Sequence, residues 1–391
     1  MKWTRTLHRT ALTLLSAGLL MVPAWGPGTS TVQAAAAPAC GSGDHGLLQS
    51  LQAKHSAVEE TPLSFSDIQF LSPDIGRAAG KGFMIGTSDG GCHFQKIYEG
   101  QWNFRQTSFP DNVHGWALAS VQEENGVYLI GTADGGSTWK RISETKVGFE
   151  RINFTDSKHG FGYAQAFTYY TEDGGRSWSQ IKTPANTRGA EFISRSDGWA
   201  VVVAPGEGYR IMQTTDGGVS WKLSLKSPFA YPESGRVYAK GDQVYALLYG
   251  GSGMSQTSYS LYASSNQGKN WSRVIGQETA GGGPAPGSGT AQYKKGPASG
   301  RPGNMQLVGG NTAFLAGYSP AGGEVGVGRT DNAGKKWTNL PTIPGFDGII
   351  SFPGSKDGWM AVKGLNTSSL YATEDGGMTW KLKFVFKGTE E

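Results

Sequence analysis

The amino-acid sequence predicts an all-β chain folded as a single seven-bladed β-propeller, and three observations carry that expectation. A loop of the form Thr/Ser-x-Asp-x-Gly-x-x-Trp returns seven times, its Asp or Asn falling at 89, 134, 173, 216, 266, 332 and 375. Successive copies lie 45, 39, 43, 50, 66 and 43 residues apart, a period that suits one four-stranded blade. Upstream of several loops stand a Phe, a polar turn and a Gly-aromatic pair, as in Phe109 to Gly115-Trp116, Phe154 to Gly160-Phe161, Phe192 to Gly198-Trp199 and Phe352 to Gly358-Trp359. In the fourth repeat Ala190 to Ile193, Trp199 to Val203, Tyr209 to Gln213 and Trp221 to Leu225 are β-rich runs separated by Gly, Asp or Pro turns. The acidic loop therefore joins the third strand of a blade to the fourth.

Taken in order, the chain opens on a secretion signal. Lys2, Arg5 and Arg9 precede the apolar run Ala11 to Val22, and small residues follow at Ala34 to Ala39, so residues 1–36 read as a signal peptide. The run is too short for a membrane span, and the mature chain is expected to have none. Residues 37–61 form a polar tail in which Leu47, Leu48, Leu51 and Val58 mark a short amphipathic helix. Cys40 has three readings: a lipid anchor in a poor lipoprotein box, a disulfide to Cys92, the only other cysteine, or a free thiol. Blades follow over 62–387, at approximately 62–100, 101–145, 146–184, 185–228, 229–277, 300–343 and 344–387, and 388–391 is a C-terminal tail. The Gly/Pro/Ala/Ser-rich stretch 276–303 reads as a mobile surface insertion.

The repeated loop explains itself by local chemistry. Its carboxylate can accept hydrogen bonds from its own turn, Gly supplies positive φ without a Cβ clash, and the hydroxyl before it adds a further bond. The clean copies centre on Asp134, Asp173, Asp216 and Asp375 with Trp139, Trp178, Trp221 and Trp380. Three are degraded: Asp89 is followed by Phe94 in place of Trp, while Asn266 and Asn332 stand for Asp before Trp271 and Trp337. These residues are expected to be structural, the tryptophans filling the layers between sheets. The loop lacks the further carboxylates of a tight calcium site, so no metal and no cofactor is expected.

These motifs resemble the Asp-box, or bacterial neuraminidase repeat (BNR), family, with its sialidase-like fold. The joint pattern of Phe-x-Asp-x-x-x-Gly-Trp and Thr-x-Asp-Gly-Gly-x-Thr-Trp is similar to its photosystem II stability and assembly factor branch. The resemblance covers about residues 62 to 387 and implies help in assembling a membrane protein complex. The same repeat is shared by sialidases, xyloglucanases and sortilin-type receptors, so it is more specific for fold than for function.

Removing the three basic residues of the leader leaves a net charge near 35 − 3 − 31 = +1, which gives no footprint for nucleic acid. A monomer is expected, secreted or surface-held, with a protein or an envelope glycan as partner. Because blade strands are antiparallel, the acidic loops and Gly-aromatic turns share one rim, and the blade connections share the other. On that second rim collect Trp102, Arg105, Tyr209, Arg210, Tyr231, Tyr259, Tyr293, Lys294, Lys295 and Arg301, residue types that anchor peptides or glycans by stacking and charge-assisted bonds. The plainer reading of each is a solvated loop position.

A sialidase needs an arginine triad, a Tyr nucleophile with a Glu partner and an Asp acid/base, preceded by Arg-Ile-Pro; the chain has no Arg-Ile-Pro, and Tyr209-Arg210-Ile211-Met212 lies in the fourth repeat. Gly86-Thr-Ser88-Asp-Gly90 spells a nucleophile elbow but sits inside the first acidic loop. His45, His55, His93, His114 and His159 show no paired metal spacing. The expectation is a non-catalytic binding or assembly-factor-like module, with a diverged glycoside hydrolase or carbohydrate-binding propeller as the alternative.

Overall fold

The computed structural model describes residues 47–56, 62–121, 124–143 and 147–387. The leader, Cys40, Val58 and the C-terminal tail lie outside the described residues. Helix α1 (Leu47–Ser56) and one 3-10 turn (Pro297–Ser299) aside, the regular elements are antiparallel strands, and the fold is an all-β propeller.

Six hydrogen-bonded sheets stand where seven were expected. The second to sixth run over Arg151–Ile181, Thr187–Pro228, Gly235–Gln277, Arg301–Pro344 and Asp347–Lys387. The first holds six strands, because Gln95–Ser108 continues without a break from one repeat into the next. Its first part pairs with Phe83 to Gly86 and its second with Trp116 to Val121, so two repeats share one sheet.

Packing between neighbours explains the Phe and Gly-aromatic pair. In each case the Phe ring lies over the Gly of its own repeat: a Cβ at Gly198 would stand 2.6 Å from Phe192 Cδ1, and one at Gly160 2.6 Å from Phe154 Cδ1. In four repeats the aromatic ring at the position after the Gly, which in the sixth repeat is Ala313, then stacks on the Phe of the following repeat. Trp116 lies on Phe154 at 3.9 Å and 6°, Phe161 on Phe192 at 5.4 Å and 16°, and Phe314 on Phe352 at 3.6 Å and 8°. The ring closes in the same way, Trp359 of the last sheet lying on Phe70 of the first at 4.1 Å. In the first repeat the position after Gly76 is Arg77, whose guanidinium sits 4.3 Å over Phe109.

Among the described residues no strand is shared across the closure. Phe83, Phe384 and Phe386 form a common core there, the Phe70 N–H donates to Ser351 Oγ at 2.9 Å, and Leu51 of α1 is buried in the same cluster. Lys54 on α1 pairs with Glu99 at 2.7 Å.

The acidic loops all share one hydrogen-bond scheme. In the second copy Asp134 Oδ1 accepts from Thr132 Oγ1 at 2.7 Å and Thr138 N at 2.9 Å, Oδ2 accepts from Thr138 Oγ1 at 2.6 Å, and Thr132 Oγ1 accepts from Gly136 N at 3.0 Å. Asp173, Asp216 and Asp375 repeat it with Ser177, Ser220 and Thr379, and His93 takes the hydroxyl's place beside Asp89. Where Asn266 or Asn332 replaces the acid, the residue four positions on is Asn270 or Lys336; the bonds to the preceding hydroxyl and to that residue's N–H remain, and only the side-chain bond to a second oxygen is lost. An amide offers one acceptor oxygen, so the second bond has no counterpart.

Of the loop tryptophans Trp139 and Trp337 are buried, while Trp178, Trp221, Trp271 and Trp380 are half-buried and pack against the core clusters, Trp178, Trp221 and Trp380 edge-on to Phe154, Phe192 and Phe352. One expectation is corrected. The 276–303 insertion is not a free loop but is bonded to the fourth sheet along its length. Tyr293 pairs with Ile275 as a parallel bridge, Arg273 reaches the Gly289 carbonyl at 2.9 Å, and Gln277 Oε1 accepts from Gly296 N at 2.8 Å.

Replacing Trp116 by Ala removes a buried ring and leaves a cavity, with an expected loss of about 3–5 kcal/mol. Gly198→Ala forces a methyl group into the Phe192 ring and costs about 1–3 kcal/mol. Urea unfolding of the two variants beside the parent measures both; an unchanged midpoint for either removes the stacking account.

The loops make a separate acid-stability prediction. The Ser177 hydroxyl first, and then its N–H, hold the Asp173 carboxyl down at about 2. A carboxyl depressed below its unfolded value adds stability above that value and loses it as pH falls through the folded one. Asp173→Asn is therefore less stable than the parent at neutral pH, and the gap closes between about pH 4 and 2, which thermal melts across that range will show.

Candidate functional site

The innermost segment of each repeat faces a central channel, and its side chains enclose a cavity of about 540 Å³. Innermost strands of neighbouring blades lie too far apart at their ends for a continuous ladder, so polar side chains bridge them. Gln69 exchanges both amide bonds with the backbone of Phe109 at 2.8 and 2.9 Å, Gln106 does so with Ile152 at 2.9 and 3.0 Å, and Asn304 with Ile350 at 2.8 and 3.0 Å. Asp67 plays the same part, accepting from Thr107 N at 2.6 Å and Thr107 Oγ1 at 2.8 Å. These groups are occupied with the scaffold.

Charges converge beyond them. Arg151 pairs with Glu191 at 2.8 Å, donates to the Ala190 carbonyl at 2.8 Å, and lies 3.8 Å over the Tyr163 ring. Arg236 faces Tyr238 from 5.5 Å, and its charge also acts on Glu191. A second cavity of about 330 Å³ adjoins the first through Glu150, Arg151 and Arg236 and includes Arg188, Tyr163 and Tyr249. Arg188 and Ser234 to Val237 lie where innermost strands begin, which puts this mouth on the rim of blade connections.

Burial raises the Asp67 carboxyl to about 6 against the opposing Thr107 bonds. Glu191 is also raised by burial, with Arg151 and Arg236 pulling the other way. Burial pushes the Tyr163 and Tyr249 hydroxyls well above the ordinary phenol value. A phenol nucleophile needs the opposite shift.

The residues singled out from sequence do not form one site. Trp102 is buried against Tyr128, 6.3 Å between centroids, and is a core residue like the other blade tryptophans. Tyr209 is buried, accepts from Glu233 N at 2.9 Å and donates to the Tyr249 carbonyl; burial lifts its hydroxyl to about 12. Tyr259 is buried as well, its hydroxyl turned into the protein against Gly296. Each lies inside a strand, Gln95–Ser108, Gly208–Thr214 or Thr257–Ser264, where the sequence reads as a blade connection or loop. Arg210 is paired to Glu207 at 2.7 Å, Arg301 is bound to the Gly253 carbonyl at 3.2 Å, and Tyr293 is half-buried. Tyr231, Lys294 and Lys295 are exposed away from the channel, and Arg105 alone of the ten lines it.

Asp67, Glu150, Arg151, Arg188, Glu191 and Arg236 were missed. A usable signal existed: each sits near the start or middle of a strand following a blade connection, at charged positions among alternating apolar ones. Cys92 is half-buried in the first acidic loop, and no free thiol occurs among the described residues. Among the same residues no group of three or more His, Cys, Asp or Glu can hold a metal ion.

No family model matches the chain, and no curated protein matches it. Solved structures are similar in fold. YCF48 bound to D1 peptide is 15% identical over 85% of this chain and 93% of that chain, with a TM-score of 0.48. YCF48 from Cyanidioschyzon merolae is 15% identical over 84% and 96%, with a TM-score of 0.49. A structure from a study of two prolyl endopeptidases is 12% identical over 87% of this chain but 52% of that one, with a TM-score of 0.53. The chain thus spans about half the length of that protein, and at such identity the likeness is one of fold.

Asp67 gives a pH test. Its folded value lies above the unfolded one, so its contribution to stability is complete below about pH 4 and is lost as pH rises through 6. A rise of that size corresponds to about 3 kcal/mol; contact with channel water lowers the expected effect to about 1–2 kcal/mol. Asp67→Asn keeps an acceptor for Thr107 and should gain on the parent by that amount between pH 4 and 7, read from urea midpoints.

Proposed function

We propose that the protein is a secreted or surface-held, non-catalytic propeller that binds a protein partner at the rim of blade connections, in the manner of an assembly factor. The observation that carries this reading is the state of the channel charges. Asp67 is occupied by Thr107, Glu191 by Arg151, and the nearby tyrosines are held far from ionisation. That leaves recognition groups at an open mouth, Arg105, Glu150, Arg188 and Arg236, without a nucleophile and acid pair. The sequence resemblance to the assembly-factor branch points the same way. The common hydrogen-bond scheme of the acidic loops supports reading them as Asp-boxes that serve the fold. A Cys40–Cys92 disulfide tying the tail to the first blade fits a chain exported past its leader.

A diverged glycoside hydrolase is the second reading, favoured by the convergence of arginines and carboxylates in the channel and by the raised Asp67. One experiment separates them. Capture from the source cell envelope with the parent and with an Arg105→Ala/Arg188→Ala variant should recover one protein partner with the parent and at least tenfold less with the variant, at equal melting temperature. Hydrolysis of sialosides or β-glucans that disappears in Asp67→Asn would establish the hydrolase instead.

A further inference from the structure

The opposite rim carries a groove with a different chemistry. Between the acidic loops of the second and third repeats lies a cavity of about 390 Å³, open to solvent. Its floor is apolar and flat: the edge of Trp116, Ile142, Gly131 and Gly174. Three cationic or proton-donating side chains stand around it, Lys140, Arg176 and His114.

The acceptors nearby are already used. Both oxygens of Asp134 accept within their own turn, from Thr132, the Thr138 N–H and the Thr138 hydroxyl. Asp111, which faces His114, accepts the Val113 and His114 N–H groups at 2.7 Å each and the His114 Nδ1 side at 2.9 Å. That leaves His114 Nε2 as the ring nitrogen turned away from Asp111. Arg176, exposed at the groove, is anchored by one bond, Nη1 to the Asp173 carbonyl at 2.9 Å, which leaves Nη2 and Nε as further donors. Lys140 is exposed on the outermost strand. Among the described lining residues the Asp134 carboxylate is thus occupied within its own turn, while Lys140 and Arg176 stand exposed beside an apolar strip.

The groove belongs to the repeat and not to an accident of one loop. The equivalent position between the last two sheets holds a cavity of about 230 Å³ over Leu340, with Asn332, Lys336 and Arg329 at its edges. There Arg329 is tied to Asp331 at 2.9 Å and Met378 replaces Arg176, so that groove has no counterpart of the Arg176 donors.

We infer that this groove is a binding site for an acidic saccharide, its carboxylate or sulfate met by Lys140 and Arg176 and one sugar face laid on Ile142 and the Trp116 edge. A sugar ring is flat and apolar on its face and rich in acceptors at its edge, which matches a flat floor fringed with donors. An acidic peptide would need backbone partners, and the floor's Gly174 carbonyl is already taken by the Trp116 Nε1–H at 2.9 Å. The site is independent of the channel mouth and of any protein bound there.

The test uses tetragalacturonate as probe, with neutral dextran oligosaccharide and tetraglutamate as controls, titrated by calorimetry into the full mature chain at low and moderate salt. Lys140→Ala/Arg176→Ala changes two exposed side chains and should weaken tetragalacturonate binding at least tenfold with the melting temperature unchanged. Lys335→Ala/Lys356→Ala removes the same charge from the same rim outside the groove and should bind as the parent does. Equal loss in both variants, no binding of tetragalacturonate by the parent, or tetraglutamate binding as tightly, each overturns the saccharide site.

Discussion

One contact organises most of the molecule: in four of the repeats the ring near the start of the second strand lies flat on the Phe of the next. It needs three residues at once. The Phe must cover its own Gly, the Gly must lack a Cβ, and the next side chain must present a planar face to the neighbour. Stacked rings at 3.6 to 4.1 Å bury large apolar area between sheets that exchange few backbone bonds. Where the first repeat offers Arg77 in place of a ring, the guanidinium keeps the planar contact with Phe109. The same stack closes the circle between Trp359 and Phe70, so closure requires no exchanged strand.

The channel follows from that packing. Stacking sets the sheets radially, which brings their first strands together without letting them pair, and their backbone groups must find other partners. Gln69, Gln106 and Asn304 supply them, and Asp67 does so at the cost of holding a carboxyl in a poorly solvated wall. A polar channel is thus a structural requirement here before it is a binding site. Its groups sort into those that bridge strands, those tied to one another such as Arg151, Glu191 and Arg236, and exposed ones such as Arg105 and Glu150.

The acidic loops show the same economy at the other rim. Four clean Asp copies are followed, four residues on, by a hydroxyl, and the two Asn copies are not. Acid and hydroxyl act as one unit, because only a carboxylate has a second oxygen for that bond. With their acceptors spent internally, the loops surround their grooves with whatever donors the variable positions provide, which is how neighbouring repeats come to differ in chemistry on one scaffold.

The sequence by itself determined the propeller, the placement of the acidic loops between third and fourth strands, and the pairing of Phe with Gly-aromatic, since each is a local pattern of turn and strand repeated at one period. It also separated the two rims, because antiparallel strands alternate direction. It did not determine the sheet count: whether the chain turns or runs straight through residues 99 to 102 is decided by pairing on both sides of Gln95–Ser108, and the straight path merged two repeats. Nor did it reveal that Trp102, Tyr209 and Tyr259 point inward, or that Arg151 meets Glu191. Those facts depend on which face of a strand meets the neighbouring sheet. Only the stacked, closed ring sets that, bringing residues from distant repeats to one channel.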